Sequence, residues 1–226
     1  MRKLLLLILV AGMSVPAFCA TDMQKLDDRV SSARQVIDQI MSVPDKSIPD
    51  GIAKQAVCIG VVPGVIKGAF IFGAEYGQGV VTCRTGHGWS GPVFIRLAGG
   101  SFGFQIGGQG TDLVLVAINQ RGFQHLLQDK FKIGGDASAA AGPVGRDTQA
   151  STDLSMRAEL LTWSRSRGLF AGIDLNGASV SQNTDDTDTY YGSPHSFSAI
   201  LHGNVPPPAS ARPFLETVAR YFRRAQ

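Results

Sequence analysis

Residues 56–118 read AVCIGVVPGVIKGAFIFGAEYGQGVVTCRTGHGWSGPVFIRLAGGSFGFQIGGQGTDLVLVAI. Short runs of valine, isoleucine, phenylalanine and leucine are separated by glycines, and 16 glycines fall between Gly51 and Gly110. A helix does not tolerate that density, because each interior glycine costs about 1 kcal/mol relative to alanine. Tight antiparallel turns and bulges require it. The stretch predicts strands near 57–62, 68–76, 80–84, 92–97, 101–106 and 112–118. The last is apolar at both parities, so it should be a central strand covered on both faces.

Outward from this block the period changes. On the N-terminal side, Thr21 and Gln24 form a capping pattern ahead of Leu26, Val30, Ala33, Ile37, Ile40 and Met41, spaced three or four apart. That is an amphipathic helix, ended by Pro44. A short second helix is expected from Pro49 to Gln55, with Ser47 or Asp50 near its cap. On the C-terminal side, Asn119 caps a short helix with Phe123, Leu126 and Leu127 inward. Strands follow near 131–133, 137–141, 157–164 and 169–175. After an acidic turn at 185–188 and a turn at Gly192 and Pro194 comes a helical stretch at 196–202. Pro206, Pro207 and Pro208 form a stiff spacer. Ser210 then caps a terminal helix with Phe214, Leu215, Val218 and Phe222 on one side. The fold class is α+β: a mainly antiparallel sheet system rich in glycine turns, flanked by an N-terminal, a central and a C-terminal helix.

Arg2 and Lys3 precede an apolar run from Leu4 to Gly12 and a small-residue stretch with Pro16. These are the parts of a secretory signal, with cleavage expected between Ala17 and Ala20. Acylation at Cys19 would need a small residue before it, and Phe18 fits that badly. The apolar run is about half of the roughly 20 residues a spanning helix needs, and later stretches are broken by glycine, proline or charge. The expectation is a periplasmic or secreted protein, residues 21–226 forming one domain, peripherally attached to a membrane or soluble. Without the leader, 19 Lys and Arg face 18 Asp and Glu. A chain so near neutrality has no global field for nucleic acid. Cys58 and Cys83 sit in apolar, β-branched segments that could be neighbouring strands; in an oxidising compartment they are either a disulfide or two buried thiols.

Nine motifs recur in order along two thirds of the chain: Ile48-Pro49, Val62-Pro-Gly-Val-Ile-Lys-Gly68, Tyr76-Gly-Gln-Gly79, Trp89-Ser-Gly-Pro92, Gly99-Gly-Ser-Phe-Gly-Phe-Gln-Ile-Gly107, Thr111-Asp-Leu-Val-Leu115, Gly142-Pro-Val-Gly-Arg146, Ser164-Arg-Ser-Arg-Gly-Leu-Phe-Ala-Gly172 and Tyr190-Tyr-Gly192. With them the span 48–192 resembles the SYLF family, lipid-binding domains of bacterial envelope proteins and of eukaryotic proteins that link membranes to cortical actin. Residues 196–226 form a helical extension. The resemblance implies phospholipid or phosphoinositide binding and brings no catalytic residues. An exported chain with no accompanying peptide-recognition domain argues against actin as a partner and leaves membrane lipid as the implied ligand.

The chemistry-bearing residues agree with a binding protein that needs no cofactor. Gly86-His-Gly-Trp-Ser-Gly91 spells a dinucleotide fingerprint, but Pro92 and a β-branched segment follow where a helix is required. None of His87, His125, His195 and His202 pairs with a nucleophile at a recognisable spacing, and a Gly-x-Ser-x-Gly elbow is missing. Asn183, Asp185, Asp186 and Asp188 gather oxygens but lack the glycine and distal glutamate of a calcium loop, so an acidic solvated turn is expected. On a strand, Arg157, Leu161, Trp163, Arg165 and Arg167 share a face. An indole between guanidinium groups suits a headgroup boundary, and arginine pairs bidentately with phosphate. The plainer reading is a solvated strand on which Trp163 covers a helix. Lys67, beside Gly64 and Gly68, could join turn amides in holding an anion, and Arg146 is comparable. Lys67, Arg146, Trp163, Arg165 and Arg167 are therefore the expected lipid-binding residues, anionic phospholipid the expected partner, and an envelope protein bound by the same sheet the alternative.

Overall fold

The computed structural model describes residues 17–43, 47–69, 72–102, 109–143, 158–166, 169–171 and 177–223; within these, the side chains of 17–21, 67–69, 72–73, 101–102, 109, 166 and 169–171 are not described. Helix α1 (Ala17–Met41) is followed by α2 (Asp50–Gln55) and then by β1 (Cys58–Ala69), β2 (Phe72–Thr85), β3 (Gly88–Trp89), β4 (Val93–Phe102) and β5 (Gln109–Ala117). After α3 (Gln120–Leu126) come β6 (Lys130–Lys132), β7 (Ala139–Ala141), β8 (Leu160–Ser166), β9 (Leu169–Ala171) and β10 (Ser179–Gln182). The chain ends in α4 (Thr184–Tyr191), α5 (Phe197–Leu201), a 3-10 turn at Ala209–Ala211 and α6 (Arg212–Tyr221). One sheet carries the order β6-β10-β4-β2-β1-β5-β8-β7, with β3 on β2 and β9 on β8. Its strand pairs are antiparallel apart from β7 with β8. This is the expected α+β architecture.

The strands run through glycines that the sequence reads as turns. β1 and β2 pair from Cys58↔Cys83 to Ala69↔Gly73, interrupted by a bulge between Val61 and Ile66. A Cβ on Gly79 would lie 2.1 Å from the Val61 carbonyl oxygen. There the glycine permits a close approach of two strands and makes no turn.

Both faces of the central strands are covered, as the two-parity apolarity of 112–118 predicts. Val114 and Val116 point with Ile59, Val61, Val80 and Phe94 toward α1 and α6. Leu113, Leu115 and Ala117 point with Val62, Val81 and Ile95 toward Phe123 and Leu126 of α3 and Phe197, Ile200 and Leu201 of α5. Of the predicted inner positions of α1, Leu26, Val30, Ala33, Ile37 and Ile40 are buried and Met41 is partly buried against them. Asn119 caps α3 by accepting from the Gly122 amide at 3.0 Å. Cys58 and Cys83, opposite one another in register and fully buried, are joined in a disulfide.

Three local readings are corrected. The acidic stretch is a helix rather than a turn: Asn183 accepts from the Asp186 amide, and Asp185 and Asp186 lie in the first turn, where carboxylates complement the helix dipole. The terminal helix begins at Arg212 behind a 3-10 turn, and Ser210 does not cap it; its hydroxyl meets the Tyr190 phenol at 2.9 Å. Helix α1 is already formed at Ala17, ahead of the capping pattern at Thr21, because no residue from 17 to 20 breaks it.

Candidate functional site at one end of the sheet

Two of the expected cationic residues, Lys67 and Arg165, fall at one end of the central strands. Lys67 stands in β1 opposite Glu75 of β2 and Gln109 of β5, and Arg165 of β8 stands opposite Asp112 of β5. The register thus brings Lys67 and Arg165 to the same end, two strands apart in the order β1-β5-β8. The Lys67 side chain, Arg146 and Arg167 lie outside the described residues.

Trp163 is not at this surface. Its indole is 3% exposed, packed among Val114, Val116 and Leu161, and its Nε1–H donates to the Pro143 carbonyl at 3.0 Å. A Cβ on Gly142 would sit 2.1 Å from the indole ring. The alternation that puts Trp163 and Arg165 on one face is correct, but that face is the one α1 and α6 cover. Burying so large an apolar surface outweighs an interfacial position. The plainer reading holds for the tryptophan, which serves the core.

The backbone around Gly64 is a bulge within β1 rather than a free tight turn. Its amide already donates to the Asp112 carboxylate at 3.0 Å, and the other Asp112 oxygen accepts from Arg165 at 2.7 Å. An internal carboxylate therefore occupies the anion cradle that glycine and arginine suggest. Arg165 is an ion-paired strand residue whose charge is largely offset by Asp112.

Next to these groups the sheet end exposes apolar surface. Ile66 is 60% exposed and Tyr76 48% exposed; they are cross-strand partners on the face that carries Val61 and Val80 further along. Among the described residues, Val43 is the one other exposed large apolar side chain, and it is less exposed than either. From the Tyr76 hydroxyl a chain of polar contacts runs inward: the Gln78 amide donates to it at 2.9 Å, Arg29 of α1 donates to Gln78, and Arg29 pairs with Asp186 at 2.5 Å. Asn183 joins Asp186 to Arg96. Sequence reading misses this network because its partners lie up to 157 residues apart.

Other chemistry is confined to local contacts. Gly86 and His87 form the turn of the β2–β3 hairpin and no helix follows it, which excludes the strand-to-helix turn a dinucleotide needs. Ser193 touches the His195 ring, but Asp188 accepts from the His195 backbone amide, so those three residues build no relay. In the 183–188 stretch Asp186 accepts from Arg29, Asn183 from Arg96 and Asp188 from the His195 amide, and among the described residues no metal-binding group of three ligands occurs. No helix of the described residues is long and apolar enough to cross a membrane.

Several of the recurring motifs prove to be packing devices. Tyr191 donates to the Pro92 carbonyl at 3.1 Å, and a Cβ on Gly91 would meet its phenol, so 89–92 and 190–192 fit together. Burial pushes the Tyr190 phenol up to about 12 and the Tyr191 phenol up as well.

Comparison with known proteins identifies a family for the chain. The family model described as "Ysc84: Las17-binding protein actin regulator" matches residues 98–221. The chain belongs to the Ysc84 family, the SYLF-domain proteins. Within it, the chain is 35% identical over 183 residues to SH3 domain-containing YSC84-like protein 1 of Rattus norvegicus, covering 80% of this chain and 54% of that protein. The Homo sapiens protein of the same name is 33% identical over the same length, covering 80% and 53%. LAS seventeen-binding protein 3 of Saccharomyces cerevisiae is 29% identical over 178 residues, covering 77% and 39%. The chain spans about half the length, or less, of these curated Ysc84 relatives.

Proposed function

We propose that this SYLF protein is exported and binds anionic phospholipid, without catalysis, through the Lys67 and Arg165 end of its sheet. The observation that carries the reading is the exposed Ile66–Tyr76 pair at the strand end where Lys67 also stands. Apolar side chains beside cations match the boundary between acyl carbon and phosphate, where each nearby lysine or arginine adds about 1 kcal/mol. Lys67, Arg146 and Arg167 would supply the attraction. Arg165 contributes little while Asp112 holds it, and Trp163 supports the sheet from behind. Ile66 and Tyr76 take the interfacial role first assigned to the tryptophan.

The test is co-sedimentation of the protein lacking its leader with phosphatidylglycerol and phosphatidylcholine vesicles at low and high salt. Binding should favour the anionic vesicles and weaken with salt. Lys67→Glu with Arg167→Glu should weaken it at least tenfold, from roughly 1 kcal/mol per cation. Equal binding to both vesicles would overturn the reading.

A protein partner is the second reading, favoured by the family description, which names Las17 binding. An envelope protein would meet the same apolar sheet end, and a complex that survives detergent would separate it from lipid binding.

A further inference from the structure

The exposed Ile66–Tyr76 pair is one end of a longer cross-strand row. Register places Ala98 of β4 opposite Tyr76, Ser179 of β10 opposite Ala98, and Lys132 of β6 opposite Ser179. A second row, two residues further along the strands, runs through Gln78, Arg96, Ser181 and Lys130. Directly opposed residues share a face, and alternation puts both rows on the side of Val80 and Phe94. Leu97, Val180 and Phe131, which lie between the rows, point into the other half of the core. The first row crosses five strands, about 19 Å at roughly 4.8 Å per strand.

Toward β6 this face is open and cationic. Ala98, Lys130 and Lys132 are exposed, and Arg96, Ser179 and Ser181 are half-buried. The Arg96 guanidinium is held rather than loose. Its Nη2 donates to the Asn183 side-chain oxygen at 2.5 Å, and Asn183 is fully buried and bound in turn to Asp186. Among the described residues, Nε and Nη1 of Arg96 find no hydrogen-bond acceptor, and neither is buried. Asp186 pairs with Arg29, and Asp136 accepts from the Lys132 backbone amide at 2.8 Å. Among the described residues no carboxylate forms an ion pair with Arg96, Lys130 or Lys132.

We propose, resting on the lipid reading above, that Arg96, Lys130 and Lys132 hold the headgroup phosphates of an anionic bilayer while Ile66, Tyr76 and Ala98 meet its acyl side. Arg96 is the ordered ligand: its planar fork matches the two non-bridging oxygens of a phosphodiester, and its charge is not already spent on a carboxylate. The Ser181 hydroxyl, directly across the strand pair, is the neutral donor beside it. The lysines are point charges that add attraction along the same plane. Cations spread over an open sheet face, with apolar side chains in the same rows, fit an extended lipid layer rather than a single small anion. None of the three lies near Lys67 in sequence; the pairing of β4 and β6 with β10 brings them together.

The test titrates phosphatidylglycerol and phosphatidylcholine vesicles into the protein lacking its leader and into its variants. Lys130→Gln with Lys132→Gln should weaken binding to the anionic vesicles about thirtyfold, about fivefold for each cation. Both side chains are exposed, so the thermal midpoint should not move. Arg96→Gln should weaken binding at least about tenfold, the size of one charge-assisted contact, and Arg96→Lys should recover part of the loss. Should Arg96→Gln fail to fold once Asn183 loses its partner, the lysine pair still decides. Lys54→Gln with Arg121→Gln is the control: it removes two charges at the far end of β2 and on α3, which packs on the other face, and should change binding less than about twofold. A lysine-pair loss no larger than the control's overturns the proposal and leaves the lipid reading standing at the Lys67 end. A parent that binds both vesicles equally overturns both.

Discussion

Replacing Trp163 with alanine separates a core role from a lipid role, because the two predict opposite outcomes. The indole is 3% exposed. Burial of roughly 200 Å² at about 25 cal/mol per Å² sets an upper transfer value near 5 kcal/mol. Alanine keeps part of that area but leaves a cavity beside Gly142 and an unpartnered Pro143 carbonyl. Destabilisation of about 3–5 kcal/mol follows, as for other buried aromatic truncations. Urea denaturation of Trp163→Ala and the parent measures it. Emission in a Trp89→Phe background gives a second readout: Trp163 should emit as a buried indole and not change when anionic vesicles are added. A variant that unfolds within about 0.5 kcal/mol of the parent yet loses vesicle binding would refute the core assignment and return the tryptophan to the interface.

Reduction of the Cys58–Cys83 bridge, which closes a 25-residue separation, should cost about 3.5 kcal/mol of unfolding free energy by loop entropy, read as a lower urea midpoint in dithiothreitol. Gly79→Ala forces a Cβ against the Val61 backbone, and a loss of more than about 3 kcal/mol, or failure to accumulate folded protein, is expected. For Arg29 and Asp186 a double-mutant cycle to alanine should show a coupling of about 1–3 kcal/mol, since the pair is partly buried and shared with Gln78 and Asn183. Tyr190 titrates higher in the folded chain, about 12, than the usual 10, and burial raises Tyr191 too. Stability is thus fully present below pH 10 and falls as pH rises toward 12, by up to about 1.4 kcal/mol per unit for each phenol; denaturation midpoints from pH 9 to 11.5 check the sign.

What the sequence makes legible is set by whether a signal is local. The two-sided apolarity of 112–118 is a property of one strand, and it places β5 at the centre correctly. The Asn119 cap and the buried stripe of α1 are equally local. Glycines mislead where their cause is a neighbour: Gly79 answers to the Val61 carbonyl and Gly142 to the Trp163 ring, so glycine density overstates the number of turns. Parity puts Trp163 and Arg165 on one face but cannot say whether that face meets water or α1 and α6. The site suffers the same limit. Asp112 lies 48 residues from Gly64 and 53 from Arg165, and nothing in either neighbourhood announces that a carboxylate fills the cradle.

The covering of both sheet faces also decides where ligands can be met. With α1 and α6 on one side and α3 and α5 on the other, the central strands offer no open face, so recognition falls to their ends. At Ile66 and Tyr76 the surface is apolar and outward, beside cations partly countered by Asp112, an arrangement suited to an extended amphiphile layer whose many weak contacts add. A scaffold whose faces are spent on its own core leaves the strand ends as the surface a ligand can meet, and a substitution confined to Lys67 addresses that surface without touching the core behind it.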